Sequence, residues 1–226
     1  MVESHLKKTR YAVRIEKLFE SGRTRLYPKN QLIHYEGDPM TSIYLIKRGY
    51  IKAYTILDSG DTRTMMLLSA GDIFPLAFSE SMDWDNYLIR YFYQTLTETE
   101  LSALPCAVLK EIIDNDMEMM NTYMTFLASN NEAIMQQLEV MKNKKAIDKV
   151  GMLLPYLISK SGKQIKPGIY QLELKLSHQE IADLSGVTRE TTTTLIKQLE
   201  KDGIIDQSNS KWRINTKNLE KTLSHR

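Results

Sequence analysis

The spacing of hydrophobic residues changes along the chain and divides it into a β-rich part and a helical part. Between residues 26 and 104, short runs of β-branched and aromatic residues alternate with turn residues. Glycines stand nearly every eleven residues in that region, at Gly37, Gly49, Gly60 and Gly71. Strands of this length and spacing are typical of an antiparallel sandwich or barrel.

A helical spacing takes over in the middle of the chain. Six apolar residues and one asparagine follow one another at alternate steps of four and three: Met120, Met124, Leu127, Asn131, Ile134, Leu138 and Met141. Such a seam is typical of a coiled-coil interface, in which one polar residue fixes the register and oligomer state. A helix packed on the β-rich part of its own chain would also show an apolar stripe. The strict period favours a partner helix and predicts a homodimer.

Two short helices joined by a tight turn are predicted over residues 177–199. Ser177 and Glu180 have the spacing of a capping box, Gly186 supplies the turn, and Thr188 can cap the second helix. The second helix has an inward-facing side with Leu195, Ile196 and Leu199. Four polar residues lie on its outer side: Arg189, Glu190, Thr193 and Thr194. This is the helix-turn-helix pattern, in which the second helix enters the DNA major groove.

The outer side of the second helix carries chemistry that suits DNA. Arg189 can donate to both O6 and N7 of guanine, and Glu190 can accept from the N4 amine of cytosine. The threonine run 191–194 is unusual for a solvated helix surface, because β-branched residues are poor helix formers. Threonine hydroxyls and methyls do suit phosphates and thymine methyls. A helical hairpin with a merely solvated charged face is the alternative.

A small hairpin is predicted after these helices. Residues 203–205 and 211–214 flank the turn sequence Ser-Asn-Ser and form a wing, on which Lys211 and Arg213 are candidate phosphate contacts. Upstream, we predict a hinge at 142–145 and a strand over 169–174. Between them we predict an amphipathic helix over 146–158 that contains a proline and ends near residues 161–162.

Charge and cysteine content narrow the possible classes of protein. The net charge of the 226 residues is +2. Residues 142–226 hold 16 Lys and Arg against 9 Asp and Glu, whereas residues 1–141 have a balance of −5. A basic C-terminal part suggests a polyanionic partner. The single Cys106 excludes an internal disulfide. With no apolar run of membrane-spanning length and no secretory signal, we expect a cytoplasmic protein.

No constellation of catalytic or metal-binding residues accompanies the β-rich part. A metal-dependent cupin-type enzyme would need clustered histidines and a carboxylate, and this region has only His34. The lone cysteine rules out an iron–sulfur cluster, and nothing supports a haem at His34. We therefore predict no enzymatic activity, no cofactor and no metal.

The stretch HQEIADLSGVTRETTTTLIKQLEKDGII resembles the DNA-binding helices of the CRP/FNR family of bacterial transcription regulators. The resemblance implies an effector-sensing β-roll, a dimerisation helix and contact with RNA polymerase. It implies that Arg189, Glu190 and Thr194 read bases, and that His178 and Thr191 contact phosphates. Thr194 stands where cyclic-AMP-binding members of the family carry arginine, so the base preference at this position is expected to differ.

The family's cyclic-nucleotide pocket is altered in this sequence. Leu76 stands where the family has glutamate, and Ile89 or Arg90 takes the position of its phosphate-binding arginine. The intervening segment carries Glu80, Asp83 and Asp85, which would oppose a phosphate. A cyclic nucleotide is therefore not expected, and the effector-binding residues are unknown. Apolar and aromatic residues that could line a pocket, or be plain core, are Met65, Met66, Phe74, Trp84, Tyr87, Tyr91, Phe92 and Tyr93.

The sequence predicts an α+β protein with three parts. Residues 1–115 form an antiparallel β-roll (a cupin-like jelly roll), residues 116–142 a long dimerisation helix, and residues 143–226 a winged helix-turn-helix. The expected function is sequence-specific binding of palindromic double-stranded DNA as a homodimer, under an effector other than a cyclic nucleotide. The alternative is a β-roll ligand-binding protein whose C-terminal module contacts another protein instead of DNA.

Overall fold

The computed structural model describes residues 10–75, 87–142, 145–207 and 211–224. They form two compact units: the N-terminal unit ends at Glu132 and the C-terminal unit begins at Ala133. No helix in the described ranges combines the length and apolar character needed to cross a membrane. Within the same ranges, no three or more His, Cys, Asp or Glu side chains are grouped so that they could hold a metal ion.

The N-terminal unit begins with helix α1 (Arg10–Leu18) and a 3₁₀ turn at Phe19–Ser21. The strands that follow are β1 (Arg23–Tyr27), β2 (Leu32–His34), β3 (Ser42–Arg48), β4 (Tyr50–Ile56), β5 (Thr62–Ser69), β6 (Ile73–Phe74), β7 (Phe92–Thr95) and β8 (Thr99–Pro105). They make two four-stranded antiparallel sheets, in the orders β1-β8-β3-β6 and β2-β7-β4-β5. The predicted antiparallel β-roll is confirmed. The sequence analysis missed β6 and most of β1.

Alternation along the strands places one face of each sheet in a shared core. Ile43 and Leu45 of β3 and Ile51 and Ala53 of β4 are buried, because successive side chains of a strand point to opposite faces. The turn between these two strands requires glycine. Gly49 has φ +100°, and a Cβ there would lie 2.5 Å from the Thr99 hydroxyl oxygen.

A helix and the first part of a second helix complete the N-terminal unit. Pro105 is the N-cap of α2 (Cys106–Asn115), and α3 covers Met117–Lys142. The Asp116 side chain separates the two helices, because its Oδ1 accepts from the backbone N–H groups of residues 118 and 119 at 2.9 and 3.0 Å. Leu109 of α2 and Tyr123 and Phe126 of α3 join the core of the β-roll. The start of α3 therefore packs within its own unit.

The C-terminal unit combines helices with a four-stranded sheet. Its elements are α4 (Ala146–Ser161), β9 (Gly162–Lys166), β10 (Ile169–Leu172), α5 (His178–Ser185), α6 (Arg189–Lys201), β11 (Ile205–Asp206), β12 (Arg213–Asn215) and α7 (Thr216–Ser224). The sheet order is β11-β12-β10-β9. Leu153, Leu157, Ile181 and Trp212 are among its buried residues.

Most boundaries predicted for this unit agree with the structure. Helix α4 passes through Pro155 and ends at Ser161, where its end is predicted, whereas β10 ends two residues earlier than predicted. The sequence analysis missed β9 and α7. Residues 143 and 144 of the predicted hinge lie outside the described residues, as does the Ser-Asn-Ser turn at 208–210.

Candidate nucleic-acid interface

The first helix of the predicted helix-turn-helix is fixed at both ends. Ser177 accepts from the backbone N–H of Glu180, whose carboxylate in turn accepts from the Ser177 N–H, so the predicted capping box is present. At the other end Gly186 is the C-cap of α5 in the left-handed conformation, with φ 66°. Ile181 and Leu184 are buried, so this side of α5 packs against the rest of the C-terminal unit.

The second helix, α6, begins at the predicted cap. The Thr188 hydroxyl accepts from the backbone N–H of Thr191 at 3.3 Å. Ile196 and Leu199 are buried, and Leu195 is half-buried. Four of the predicted contact residues are exposed on this helix: Arg189, Glu190, Thr191 and Thr194. They occupy its first two turns, the part of a recognition helix that reaches base edges.

The threonine run does not form a single outward face. Thr192 is fully buried, and no described residue forms a hydrogen bond with its hydroxyl oxygen. It is four residues before Ile196 and seven before Leu199, so helical geometry places it on the buried stripe. The inference that all four threonines suit DNA is therefore wrong for Thr192, since periodicity outweighs residue type there.

His178 joins the two helices. Its Nδ1 lies 3.0 Å from the Thr193 Oγ1, and that hydroxyl donates to the carbonyl oxygen of Arg189 at 2.9 Å. Because a hydroxyl carries one proton, the imidazole Nδ1 must be the donor to Thr193. The first turn of α5 is thereby tied to the first turn of α6. Thr193 is half-buried, so it supports the exposed face more than it belongs to it.

The candidate wing residues differ in their surroundings. Lys211 is exposed. Arg213 is opposite Asp206 in the register of β11 and β12, with its Nη1 3.8 Å from the Asp206 Oδ2. The Arg213 Nε is buried and lacks a hydrogen-bond partner among the described residues. Lys211 is therefore more available to a phosphate than Arg213 is.

The predicted dimer seam divides into two groups on α3. Met120 and Leu127 are partly buried against the core of their own N-terminal unit, whereas Met124 is 51% exposed. The side chains of Asn131, Ile134, Leu138 and Met141 lie outside the described residues. Two further methionines that the sequence analysis did not select, Met117 and Met135, are 76% and 63% exposed. Met117, Met124 and Met135 are separated by 7 and 11 residues, which places them on one helix face.

The aromatic residues proposed to line a pocket have mixed positions. Phe74 and Tyr93 are buried and stacked, with ring centroids 5.0 Å apart, whereas Phe92 stacks on Tyr54. Met65, Met66, Tyr87 and Tyr91 are partly buried, and Leu76, Glu80, Asp83, Trp84 and Asp85 lie outside the described residues. The core interpretation therefore holds for Phe74 and Tyr93.

His34 is buried in the β-roll, and its ring forms T-shaped pairs with Tyr44 and Tyr93, with ring centroids 5.2 and 6.3 Å apart. Its Nε2 is buried and forms no hydrogen bond with any residue that the structure describes. Burial lowers the pKa of His34, and the Asp38 carboxylate partly offsets this effect. Burial therefore favours the neutral form of this imidazole in the folded protein.

Comparison with known proteins identifies both units. Residues 24–116 match the model of the cyclic nucleotide-binding domain, and residues 148–221 match the model of the Crp-like helix-turn-helix domain. The chain is 27% identical over 188 residues to the global nitrogen regulator of Synechococcus elongatus, covering 83% of this chain and 79% of that protein. It is 23% identical over 195 residues to the HTH-type transcriptional regulator ArcR of Staphylococcus epidermidis, covering 84% and 81%.

A solved structure shares the fold over most of the chain. FixK2 from Bradyrhizobium japonicum superposes with a TM-score of 0.74 at 19% sequence identity. The match covers 88% of this chain and 96% of that one.

Proposed function

This chain belongs to the CRP/FNR family of bacterial transcription regulators, and we propose that it reads a palindromic DNA site as a homodimer. The observation that carries the proposal is the exposed pair Arg189 and Glu190 at the start of α6. Both side chains can pair with base edges in the major groove, and the buried stripe behind them holds the helix in place. A regulator of this kind would bind its DNA site in the cytoplasm.

Specificity is assigned to the first two turns of α6. Arg189 would donate to a guanine and Glu190 would accept from a cytosine amine. Thr194 would contact a base edge through its methyl group or through the free acceptor capacity of its hydroxyl. That hydroxyl already donates to the Glu190 carbonyl oxygen at 3.2 Å, so at a base Thr194 would act as an acceptor or an apolar contact.

Affinity is assigned to groups around the recognition helix. His178, Thr191 and Lys211 would contact phosphates, with Arg213 in support. Because the His178 Nδ1 donates to Thr193, only its Nε2 is left for the phosphate backbone. A neutral Nε2 is an acceptor, so a direct contact with a phosphate oxygen requires the imidazolium form.

Dimerisation is assigned to α3. The exposed Met117, Met124 and Met135 support a partner helix on this face, because a surface helix of a monomer rarely presents such a row of apolar side chains. Two copies related by a two-fold axis would place their α6 helices about 34 Å apart, one turn of the duplex. An effector that changes this spacing would regulate binding, and contact with RNA polymerase would convert binding into transcription control.

A mobility-shift assay with the full chain on random duplexes tests the proposal. We expect binding at about 50 mM salt that weakens steeply by about 200 mM, because phosphate contacts release counterions. Lys211→Gln should weaken binding equally on all sequences and reduce the salt slope by about 0.9. Lys110→Gln, on the exposed side of α2 in the N-terminal unit, is the matched control and should change nothing.

The absence of any shift at low salt would refute DNA binding. It would favour the alternative in which the C-terminal unit contacts another protein. If the Lys211→Gln variant binds DNA with the same salt slope as the unmodified chain, the proposed function stands, but Lys211 does not contact a phosphate.

A further inference from the structure

A cavity of about 670 Å³ opens at one end of the sheet β2-β7-β4-β5 in the N-terminal unit. Its walls come from three segments: residues 36 and 37 after β2, Thr55 near the end of β4, and residues 87–91 before β7. The Gly37 N–H donates to the Ile89 carbonyl oxygen at 2.8 Å and joins two of these segments. The volume lies within the range of small-molecule sites.

Two opposite charges line this cavity. They belong to the lining residues Glu36 and Arg90, which are both exposed. Thr55 Oγ1 donates to one oxygen of Glu36 at 3.4 Å, which orients the carboxylate across the strands. Among the described residues, neither Glu36 nor Arg90 forms an ion pair, with the other or with a third group. Within the part of the chain that the structure describes, both charges therefore lack a charged partner.

The rest of the wall is apolar or aromatic. Tyr87 and Tyr91 pack against the buried core, so their rings are held in place. Leu88 between them is 57% exposed. At Gly37, which has φ +89°, no described residue other than the two chain neighbours has a heavy atom within 4 Å of where a Cβ would stand. The cavity thus offers one anionic group, one cationic group and a fixed apolar surface.

We propose that this cavity binds a small zwitterion with an apolar side chain, namely an amino acid or a short peptide. The ligand's ammonium group pairs with Glu36, its carboxylate pairs with Arg90, and its side chain covers Leu88 and the two tyrosine rings. Arg90 suits the carboxylate because the guanidinium can donate two parallel hydrogen bonds. A phosphate ligand fits less well, because Glu36 would oppose its charge.

Calorimetric titration of the full chain without DNA tests this site. The probes are L-leucine, L-phenylalanine and the dipeptide Leu-Leu, each also as its N-acetyl form, which lacks the ammonium, and as its amide, which lacks the carboxylate. We expect saturable binding of at least one free probe, and at least tenfold weaker binding of its two derivatives.

Charge-matched variants make the test specific. In Glu36→Gln the preference for the free probe over its N-acetyl form should disappear, and in Arg90→Gln the preference over its amide should disappear. Glu111→Gln and Lys110→Gln, both exposed on α2, are the controls and should bind as the unmodified chain does.

Two results would overturn the proposal. One is that none of the free probes binds in the millimolar range to a chain whose circular dichroism shows the folded state. The other is that a probe binds equally well to Glu36→Gln, Arg90→Gln and the unmodified chain. DNA binding is measured separately, so either result leaves the proposed function untouched.

Discussion

Replacing Thr192 by valine should stabilise the protein. Thr192 is fully buried on α6, and its hydroxyl has no hydrogen-bond partner within the described ranges. Burying such a hydroxyl costs about 1–3 kcal/mol, because its hydrogen bonds to water are lost without replacement. Valine has nearly the same shape, keeps the branched Cβ and replaces the hydroxyl with a methyl group. We expect Thr192→Val to raise the free energy of unfolding by about 1–2 kcal/mol.

Urea unfolding measures this change directly. Trp212 is buried in the same unit, so its fluorescence, in a Trp84→Phe background, follows loss of the fold around α6. All chains should be compared at one protein concentration, because dimerisation contributes to apparent stability. The midpoint should rise with an unchanged m-value, and the melting temperature should rise by about 2–4 °C per kcal/mol in a chain of this size.

Two control variants separate burial from residue type. Thr194→Val changes an exposed threonine on the same helix and should alter stability by less than about 0.5 kcal/mol. Thr192→Ser keeps the unpartnered hydroxyl but removes a buried methyl, and should cost about 1 kcal/mol. DNA binding should survive Thr192→Val, since this side chain faces the core. A stability loss above about 1 kcal/mol would show that the hydroxyl is satisfied and refute the reasoning.

Three further outcomes follow from the candidate site and the core. Arg189→Ala should lose discrimination at one guanine by about 1–3 kcal/mol, measured by competition between matched and substituted duplexes. Met124→Glu and Met135→Glu should each shift the chain from dimer to monomer in sedimentation, because charge is costly in an apolar helix seam. The stability should fall as the pH is lowered from 7.5 to 5.5. Burial holds the pKa of His34 below the ordinary value of a histidine, so the unfolded chain takes up its proton first as the pH falls. His34→Phe should flatten this dependence, measured as urea midpoints at the two pH values.

Matched variants control the first two of these predictions. Lys201→Ala, at the end of α6, should leave base discrimination intact, and Thr125→Glu, beside Met124, should leave the dimer intact. An equal loss on all duplexes would mean that Arg189 only grips phosphate. If both methionine variants still form dimers, α3 is not the dimer interface. An unchanged pH dependence in His34→Phe would mean that another group titrates in this range.

The helix-turn-helix was predictable because its signals are local. The capping box at Ser177 and Glu180, the left-handed Gly186 and the cap at Thr188 each act within a few residues, so sequence spacing suffices to find them. The β-roll could be predicted as a class from its turn residues and strand spacing. The strand β6 was missed because two residues carry too little pattern.

The seam on α3 shows where sequence spacing is not enough. Met120 and Met124 both fit a heptad, yet Met120 packs against its own unit and Met124 is exposed. Both the β-roll and a partner helix favour apolar residues at helical spacing, so the pattern cannot assign a residue to either. Thr192 on α6 is a second example. Its position within the helix determines that it is buried, whereas its polar side chain suggested contact with DNA. The cavity at Glu36 and Arg90 joins residues 54 positions apart, which no local pattern brings together.

Selection of bound duplexes from a random pool, by the purified full chain without added ligand, tests the central claim most directly. The account predicts enrichment of an inverted repeat whose half-site centres lie about 10 base pairs apart, with a guanine at a fixed place in each half. Arg189→Ala should remove the preference for that guanine and keep the repeat. Retention of duplexes without any shared sequence, or enrichment of a single site without two-fold symmetry, would contradict a homodimer that reads DNA through α6.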